Sequence, residues 1–443
     1  MNKTFAMISL GCAKNLVNSE QMLYLMDEAG FTLAAEPEGA DLAVVNTCGF
    51  IDAAKSEAID VILEMAELKK AGKLGGLIVT GCLAERYKDS ILSELPEIDA
   101  VLGVGSFGDI VSAAEAVLAG RPLRAFADQS GPIDETPRVV TTGPGWAYLR
   151  IAEGCNNFCA FCAIPFIRGR YRSRSMENIL DEARDLAAHG VKELIVIAQD
   201  ITRYDTDLYG KRSLAELCRR LSEIEGVAWI RLHYLYVDQF DDELIDEIAN
   251  NPKIVKYLDI PIQHINDGIL RRMNRRGTGA DIRSLFIKLR ERIPGLVLRT
   301  SLITGLPGEG EAEFEALCDF LRQARLERVG VFPFSPEEGT PAAQMEHVDF
   351  ETAQRRANLI LALQGDIMED FCQSLVGKTL DVLCEGYDDE LGLLVGRCYA
   401  DSPEIDGQVL FDGDCPAGEI VPVTIARTED GLLYGRMEEG CTC

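Results

Sequence analysis

Short apolar runs alternate along most of this chain with longer stretches in which apolar residues return every three or four positions. By length and period the runs predict strands and the stretches predict amphipathic helices. In the first third, strands are predicted at residues 5–10, 42–46 and 77–80, with helices such as 18–29 and 53–70 between them. Such alternation predicts a parallel sheet, whose strands all open their carboxyl ends on one edge. A Pro-, Gly- and Thr-rich stretch at 131–144 reads as a linker. Six more strand-like runs follow, at 146–151, 193–198, 229–233, 257–261, 297–303 and 329–334, separated by helices at 177–188, 214–225, 241–249, 281–292 and 311–325. Six β/α units predict a partial TIM-type barrel with its chemistry at the strand C-termini. A helix from 350 to about 372 then gives way to five short runs broken by Gly and Asp turns, at 379–385, 391–399, 408–411, 419–425 and 431–437. That last pattern predicts a small OB-like β-barrel. The expected fold is α/β in three domains, 1–135, 141–372 and 374–443.

Cysteines sit where these predicted strands end. Cys12, Cys48 and Cys82 close the first three runs, in the junctions SLGC, VVNTCGF and IVTGC, 36 and 34 residues apart. In a parallel sheet they would converge on the edge where open α/β sheets bind ligands. Cys155, Cys159 and Cys162 lie just past the strand at 146–151, three thiols within eight residues. A closed zinc site wants four ligands, and neither His189 nor Cys218 is near enough in sequence to supply the fourth. A four-iron cluster normally takes four Cys, so three leave one iron open for another ligand. The remaining cysteines show no ligand spacing. Cys218, Cys318 and Cys372 read as helix packing, Cys384 and Cys398 as core, Cys415 as a turn residue, and Cys441 and Cys443 as tail.

Composition narrows the picture. No apolar run approaches the ~20 residues of a membrane span, and the N-terminus lacks a signal-peptide pattern, so the expectation is a cytoplasmic protein with reduced thiols. The net charge of −28 opposes direct binding to nucleic acid and favours a basic protein partner. The predicted C-terminal barrel concentrates this charge, with 4 basic and 15 acidic side chains in residues 375–443, a net of −11. Against the trend, Arg168, Arg170, Arg172 and Arg174 alternate after the second trio, and Arg271, Arg272, Arg275 and Arg276 cluster further on. Both groups suit either an anionic ligand or internal ion pairs. The string Gly103-Val-Gly105-Ser-Phe-Gly108 has a dinucleotide-loop form but no following ribose-binding acid, and reads as a plain strand-to-helix turn.

The C-x3-C-x2-C spacing after a strand resembles the radical S-adenosylmethionine (SAM) enzymes. The resemblance implies that Cys155, Cys159 and Cys162 hold a four-iron cluster whose free iron chelates SAM. A three-Cys α/β domain ahead of such a core resembles the methylthiotransferase family, and the C-terminal barrel resembles its TRAM domain. The strings SLGCAKNLVNSE and VNTCGFIDAAKSEAID resemble the ribosomal branch of that family, the RimO enzymes, more than the tRNA-modifying, MiaB-like branch, and the family likeness runs on through RLHYLY, YLDIPIQH and SLITGLPGE. The resemblance implies a second cluster on Cys12, Cys48 and Cys82, and methylthiolation of an aspartate β-carbon in ribosomal protein S twelve. It also implies an electron donor such as flavodoxin or ferredoxin, and chemistry at the clusters with no acid–base residue. Gln199, Asp200, His233, Gln263, Gly305 and Glu309 follow predicted barrel strands and are candidate SAM or substrate contacts.

Overall fold

The structure, a computed structural model, describes residues 3–438. Cys441 and Cys443, read above as tail, lie outside the described residues. The chain forms two compact units. The first comprises Met1–Thr141, Ala152–Ser173 and Ser335–Ala343, and the second Thr142–Ile151, Arg174–Phe334 and Gln344–Cys443.

The first unit is built on a parallel six-stranded sheet of β1 (Thr4–Ser9), β2 (Thr32–Leu33), β3 (Leu42–Thr47), β4 (Gly76–Gly81), β5 (Ala100–Leu102) and β6 (Leu123–Ala125), in the order β2-β1-β3-β4-β5-β6. Its centre is apolar without alternation. Every residue of β3 and β4 is buried, as expected where helices cover both faces. Helix Ala13–Glu28 contributes Met22 and Met26 to one face, and helix Asp52–Lys70 contributes Ile62 and Met65 to the other. Fully burying each such side chain contributes about 1.5–3 kcal/mol. Three strands, β2, β5 and β6, were too short to stand out in sequence. The GxGxxG string forms a 3₁₀ turn, Val104–Asp109, after β5, as expected of a plain strand-to-helix turn. The 131–144 stretch has neither helix nor strand, but it is fastened down. Glu20 is buried and accepts from Arg138 and from the Thr141 backbone N–H.

The first unit also contains a hairpin of β8 (Ala152–Glu153) and β9 (Arg172–Ser173), which closes the loop carrying Cys155, Cys159 and Cys162. A strap at 335–343 runs in the same unit. Its Glu337, 1% exposed, accepts from the Asp52 backbone N–H at 3.0 Å, Lys55 at 3.0 Å and Arg86 at 2.8 Å. The strap's Ala342 N–H donates to the Ala160 carbonyl at 2.9 Å.

The second unit carries an open parallel sheet of β7 (Trp146–Arg150), β10 (Glu193–Ile197), β11 (Trp229–Leu232), β12 (Ile254–Asp259), β13 (Val297–Thr304) and β14 (Arg328–Pro333), neighbours in chain order, as six β/α units predict. Helix Phe350–Leu375 leads to a closed barrel of β15 (Thr379–Asp388), β16 (Leu393–Cys398), β17 (Val409–Asp412), β18 (Ile420–Glu429) and β19 (Leu432–Met437). Buried ion pairs fix barrel to sheet. Glu193 accepts from Arg231 at 2.6 Å and Arg397 at 2.8 Å, while Arg328 meets Asp401 at 2.6 Å. Removing one partner of such a pair costs about 3–5 kcal/mol, so the small barrel is a fixed part of this unit. Cys218, Cys318, Cys372, Cys384 and Cys398 are buried in helices and strands, and Cys415, read above as a turn residue, is buried in the irregular segment just ahead of the turn before β18.

Candidate metal centres

The strand order of the first unit reverses between β1 and β3, and open α/β sheets bind ligands in the crevice at such a reversal. Cys12 follows β1, Cys48 directly follows β3, and Cys82 directly follows β4. Cys12 N-caps helix Ala13–Glu28 and Cys82 opens helix Cys82–Tyr87, so both lie at helix N-termini, where backbone N–H groups favour negative charge. Gly81 makes the last turn possible. Its φ is +94°, and a Cβ there would lie 2.4 Å from Asn46 Oδ1 and 2.5 Å from the Thr47 carbonyl.

One side chain touches all three cysteine turns. Asn15 Nδ2 donates to the Leu10 carbonyl at 3.0 Å, just ahead of Cys12, and to the Thr47 carbonyl at 2.8 Å, next to Cys48. Asn15 Oδ1 lies 3.6 Å from the Cys82 sulfur. The three thiols differ electrostatically. Burial raises the Cys12 thiol, but Lys14, Arg168 and the backbone N–H groups of Asn15 and Lys14 outweigh it, and its pKa falls below the ordinary value. Burial pushes Cys48 up to about 11 and also raises Cys82, against the opposing charge of Arg168. Cys12 is exposed, whereas Cys48 and Cys82 are buried.

The second trio is built locally. Gly154, φ +77°, turns the chain so tightly that a Cβ would lie 2.2 Å from the Arg170 carbonyl. Cys155 N–H donates to the Gly169 carbonyl at 3.1 Å and Cys162 N–H to the Cys159 carbonyl at 3.0 Å. Phe158 holds a left-handed backbone, φ +48°, with the Arg170 guanidinium 5.0 Å from its ring centre. A non-Gly residue in that region costs on the order of 1–3 kcal/mol and such strain clusters at functional sites.

The arginines that follow do not share a face. Arg168 is buried, with Nη1 2.9 Å from both Glu153 oxygens and Nη2 2.6 Å from Asn15 Oδ1. Arg172 donates to the Gly131 carbonyl, and Arg174 pairs with Glu182. The extended backbone that would put them on one face is confined to Arg172–Ser173, and Arg168, Arg172 and Arg174 make separate internal contacts. In the other basic group, Arg275 donates to the Pro261 carbonyl, Arg276 lies 3.6 Å from Asp238, and Arg272 lines a cavity of about 760 Å³ with Gly308 and Glu309.

Both cysteine trios therefore belong to one compact unit, joined through Glu153, Arg168 and Asn15, three residues to which sequence reading assigned no such role. Among the described residues no three His, Cys, Asp or Glu side chains stand close enough to share a single metal ion. The donor sets suit iron–sulfur chemistry, which takes thiolates spread around a cluster.

In the second unit, the candidate contacts sit at strand ends. Asp200 is buried, accepting from the Thr202 N–H and Arg203. His233 Nε2 lies 3.1 Å from Ser402 Oγ. Gln199 follows β10, and its Oε1 is buried. Gln263 and Tyr234 both hold left-handed backbones, φ +68° and +65°, and Gln263 exchanges backbone hydrogen bonds with Ser301 and Ile303. Glu309 Oε1 accepts from the Gly305 N–H at 2.9 Å and from Arg356 at 2.8 Å. His264 Nδ1 accepts from the Asn266 N–H, which leaves Nε2 to carry the proton, 3.4 Å from Glu309 Oε2. Arg356 thus holds the Gly305–Glu309 turn, with His264 packed beside its carboxylate. Local sequence pattern does not connect Arg356 to that turn, because it comes from a distant helix.

Comparison with known proteins agrees with this architecture. Residues 149–321 match the radical SAM superfamily, residues 4–103 an uncharacterised protein family designated UPF0004, and residues 376–437 the TRAM domain. A protein of Lachnoclostridium phytofermentans named ribosomal protein uS12 methylthiotransferase RimO is 48% identical, over 97% of this chain and 99% of its own. Proteins of the same name from Caldanaerobacter subterraneus subsp. tengcongensis, 48% identical over 98% and 99%, and Acetivibrio thermocellus, 46% identical over 99% of each, are similar too. Among solved structures, the radical S-adenosylmethionine methyltransferase TsrM from Kitasatospora setae, with cobalamin and a 4Fe–4S cluster bound, gives a TM-score of 0.56 at 14% identity, covering 86% of this chain and 81% of that one. That likeness concerns the fold.

Proposed function

This chain belongs to the family of ribosomal protein uS12 methylthiotransferases, RimO, and from that membership we propose that it attaches a methylthio group to the β-carbon of an aspartate in uS12. It is a radical-SAM enzyme, with SAM and a 4Fe–4S cluster as its cofactors. The observation that carries the finer reading is the presence of two three-thiol sets in one unit, tied together by Arg168. Cys155, Cys159 and Cys162 would hold the cluster that serves SAM, and Cys12, Cys48 and Cys82 a second one that presents sulfur. Bound there, these groups supply radical and sulfur chemistry, which an unactivated C–H bond requires because it offers no acid–base handle. The chain's own residues position and shield. Burial keeps water from Cys155 and Cys159 of one set, and Asn15 fixes the spacing of the other. Gln199, Asp200, His233, Gln263, Gly305 and Glu309 are proposed as SAM or substrate contacts. The left-handed backbone of Gln263 and the buried hydrogen bonds of the Gly305 turn support that reading.

The C-terminal barrel, net −11 over residues 375–443, suits a cationic protein partner and opposes direct contact with nucleic acid, so we assign uS12 docking to it. A flavodoxin or ferredoxin would supply electrons. Among the described residues no helix is long and apolar enough to cross a membrane, and the proposed location is the cytoplasm. Functionally the chain reads as a sulfur-delivering segment 1–135, a radical-SAM core 141–372 and a TRAM-like partner segment 374–443. The test is co-expression with uS12 and peptide mass spectrometry. Methylthio-aspartate should form, and should vanish with Cys155→Ala and separately with Cys48→Ala. Modified tRNA with untouched uS12 would reject the reading.

A further inference from the structure

The most unusual charge in the first unit is Arg168. It is 1% exposed and lies six residues past Cys162, on the loop of the radical trio, yet its side chain reaches the other trio. Glu153 takes up Nη1 with both carboxylate oxygens, each at 2.9 Å. Nη2 turns toward Asn15 Oδ1, the oxygen that also faces the Cys82 sulfur. Ile167 and Ala163, from the same loop, pack against Cys82 and Val104. The guanidinium feels the Cys82 and Cys12 thiols as well as Glu153. An arginine buried merely to pair with Glu153 would gain nothing from this second set of neighbours, and desolvating the pair costs several kcal/mol per ion by general estimate. A planar guanidinium can serve a carboxylate on one edge and a second acceptor set on another, which an ammonium cannot do with fixed geometry.

Resting on the two-centre reading above, we propose that Arg168 is the electrostatic positioning residue of the Cys12/Cys48/Cys82 centre: carried on the loop of the other trio, it balances the negative charge of three thiolates and of the anionic sulfur presented there, while Asn15 holds it in register. Two consequences follow. The centre accepts an electron more easily with the guanidinium present than without it. An added anionic sulfur ligand binds more tightly for the same reason.

The experiment uses the full chain with Cys155, Cys159 and Cys162 all changed to Ala, so that iron reports on the N-terminal trio. Iron content, an EPR-monitored redox titration and sodium sulfide titration compare this parent with Arg168→Met and Arg168→Lys, each checked for folding by circular dichroism. The expected result for Arg168→Met is a cluster with a more negative midpoint potential and at least about tenfold weaker sulfide binding, with Arg168→Lys lying between it and the parent. Should Arg168→Met fail to keep iron, Arg168→Gln, neutral and polar, takes its place with the same expectation. A folded, iron-loaded neutral variant with the parent's potential and sulfide affinity overturns the assignment. A parent that binds no iron overturns the two-centre reading itself, and this assignment with it.

Discussion

The two cysteine trios reach similar donor sets by opposite routes. Cys155, Cys159 and Cys162 are gathered by a loop between the two short strands of one hairpin, and its backbone hydrogen bonds join residues close in sequence. Cys12, Cys48 and Cys82 are gathered by a whole sheet, whose strand order must reverse at the right place before the three sulfurs approach. A local site depends on a few turn geometries. An assembled site depends on the stability of everything beneath it, so damage to the sheet should empty the N-terminal trio before the loop trio.

Glu337→Ala gives the largest test. It removes the buried carboxylate shared by half-buried Lys55 and Arg86 and by the Asp52 N–H, and although Lys55 keeps Asp52, breaking this network costs about 3 kcal/mol, the low end for a buried pair. Denaturant unfolding should show that loss. Iron analysis should show the N-terminal trio depleted first, and equal depletion of both trios would break the comparison. Next comes Gly81→Ala, which forces a Cβ against Asn46 and Thr47 at a left-handed φ, and should cost about 2–3 kcal/mol with loss of N-terminal iron. Its counterpart Gly154→Ala should empty the loop trio while leaving the unfolding midpoint of the sheet nearly unchanged. A smaller effect concerns the metal-free protein. The Cys12 thiol is accessible and its pKa is lowered, whereas Cys48 is buried with its thiol pushed up to about 11. Since the thiolate is the nucleophile, iodoacetamide at pH 8 should label Cys12 at least about tenfold faster, and its labelling should persist to lower pH. Peptide mass spectrometry reads both rates.

The smallest effect is a pH dependence in the second unit, separate from the stability lost when the pair is broken, where the Glu193 carboxylate is penalised by burial but held below its usual range by Arg231 and Arg397. A depressed acid contributes stability that is present above its unfolded pKa and is lost as pH falls through the folded one. Thermal melting should therefore show the second unit weakening as pH drops below the ordinary carboxylate range, and Glu193→Gln should flatten that dependence.

The same contrast explains what could be read in advance. All six candidate ligands were visible, three by close spacing and three because each ends a predicted apolar strand. The long β/α rhythm and the Gly/Asp-punctuated barrel were equally plain, since they rest on local periodicity. Asn15 and Arg168 were not, because the contact that gives them meaning joins residues far apart in sequence, and Asn15 looks like any polar residue early in a helix. Glu153 gains its role only once Arg168 is placed. The alternating arginines left two readings open, an anionic ligand or internal ion pairs, and the turns of the cysteine loop give each side chain its own direction, with Arg168 and Arg174 in internal pairs. Arg356 was hidden in the sequence, because one late helix brings it to Glu309.

Five times the chain passes from one unit to the other. Excising residues 1–141 would strand both the cation beside the first thiols and the acidic anchor of the 335–343 strap in the discarded piece. A chimera joined at the 131–144 stretch should thus inherit the sulfur-bearing sheet without what steadies it, and any exchange of modules between relatives has to carry almost the entire polypeptide.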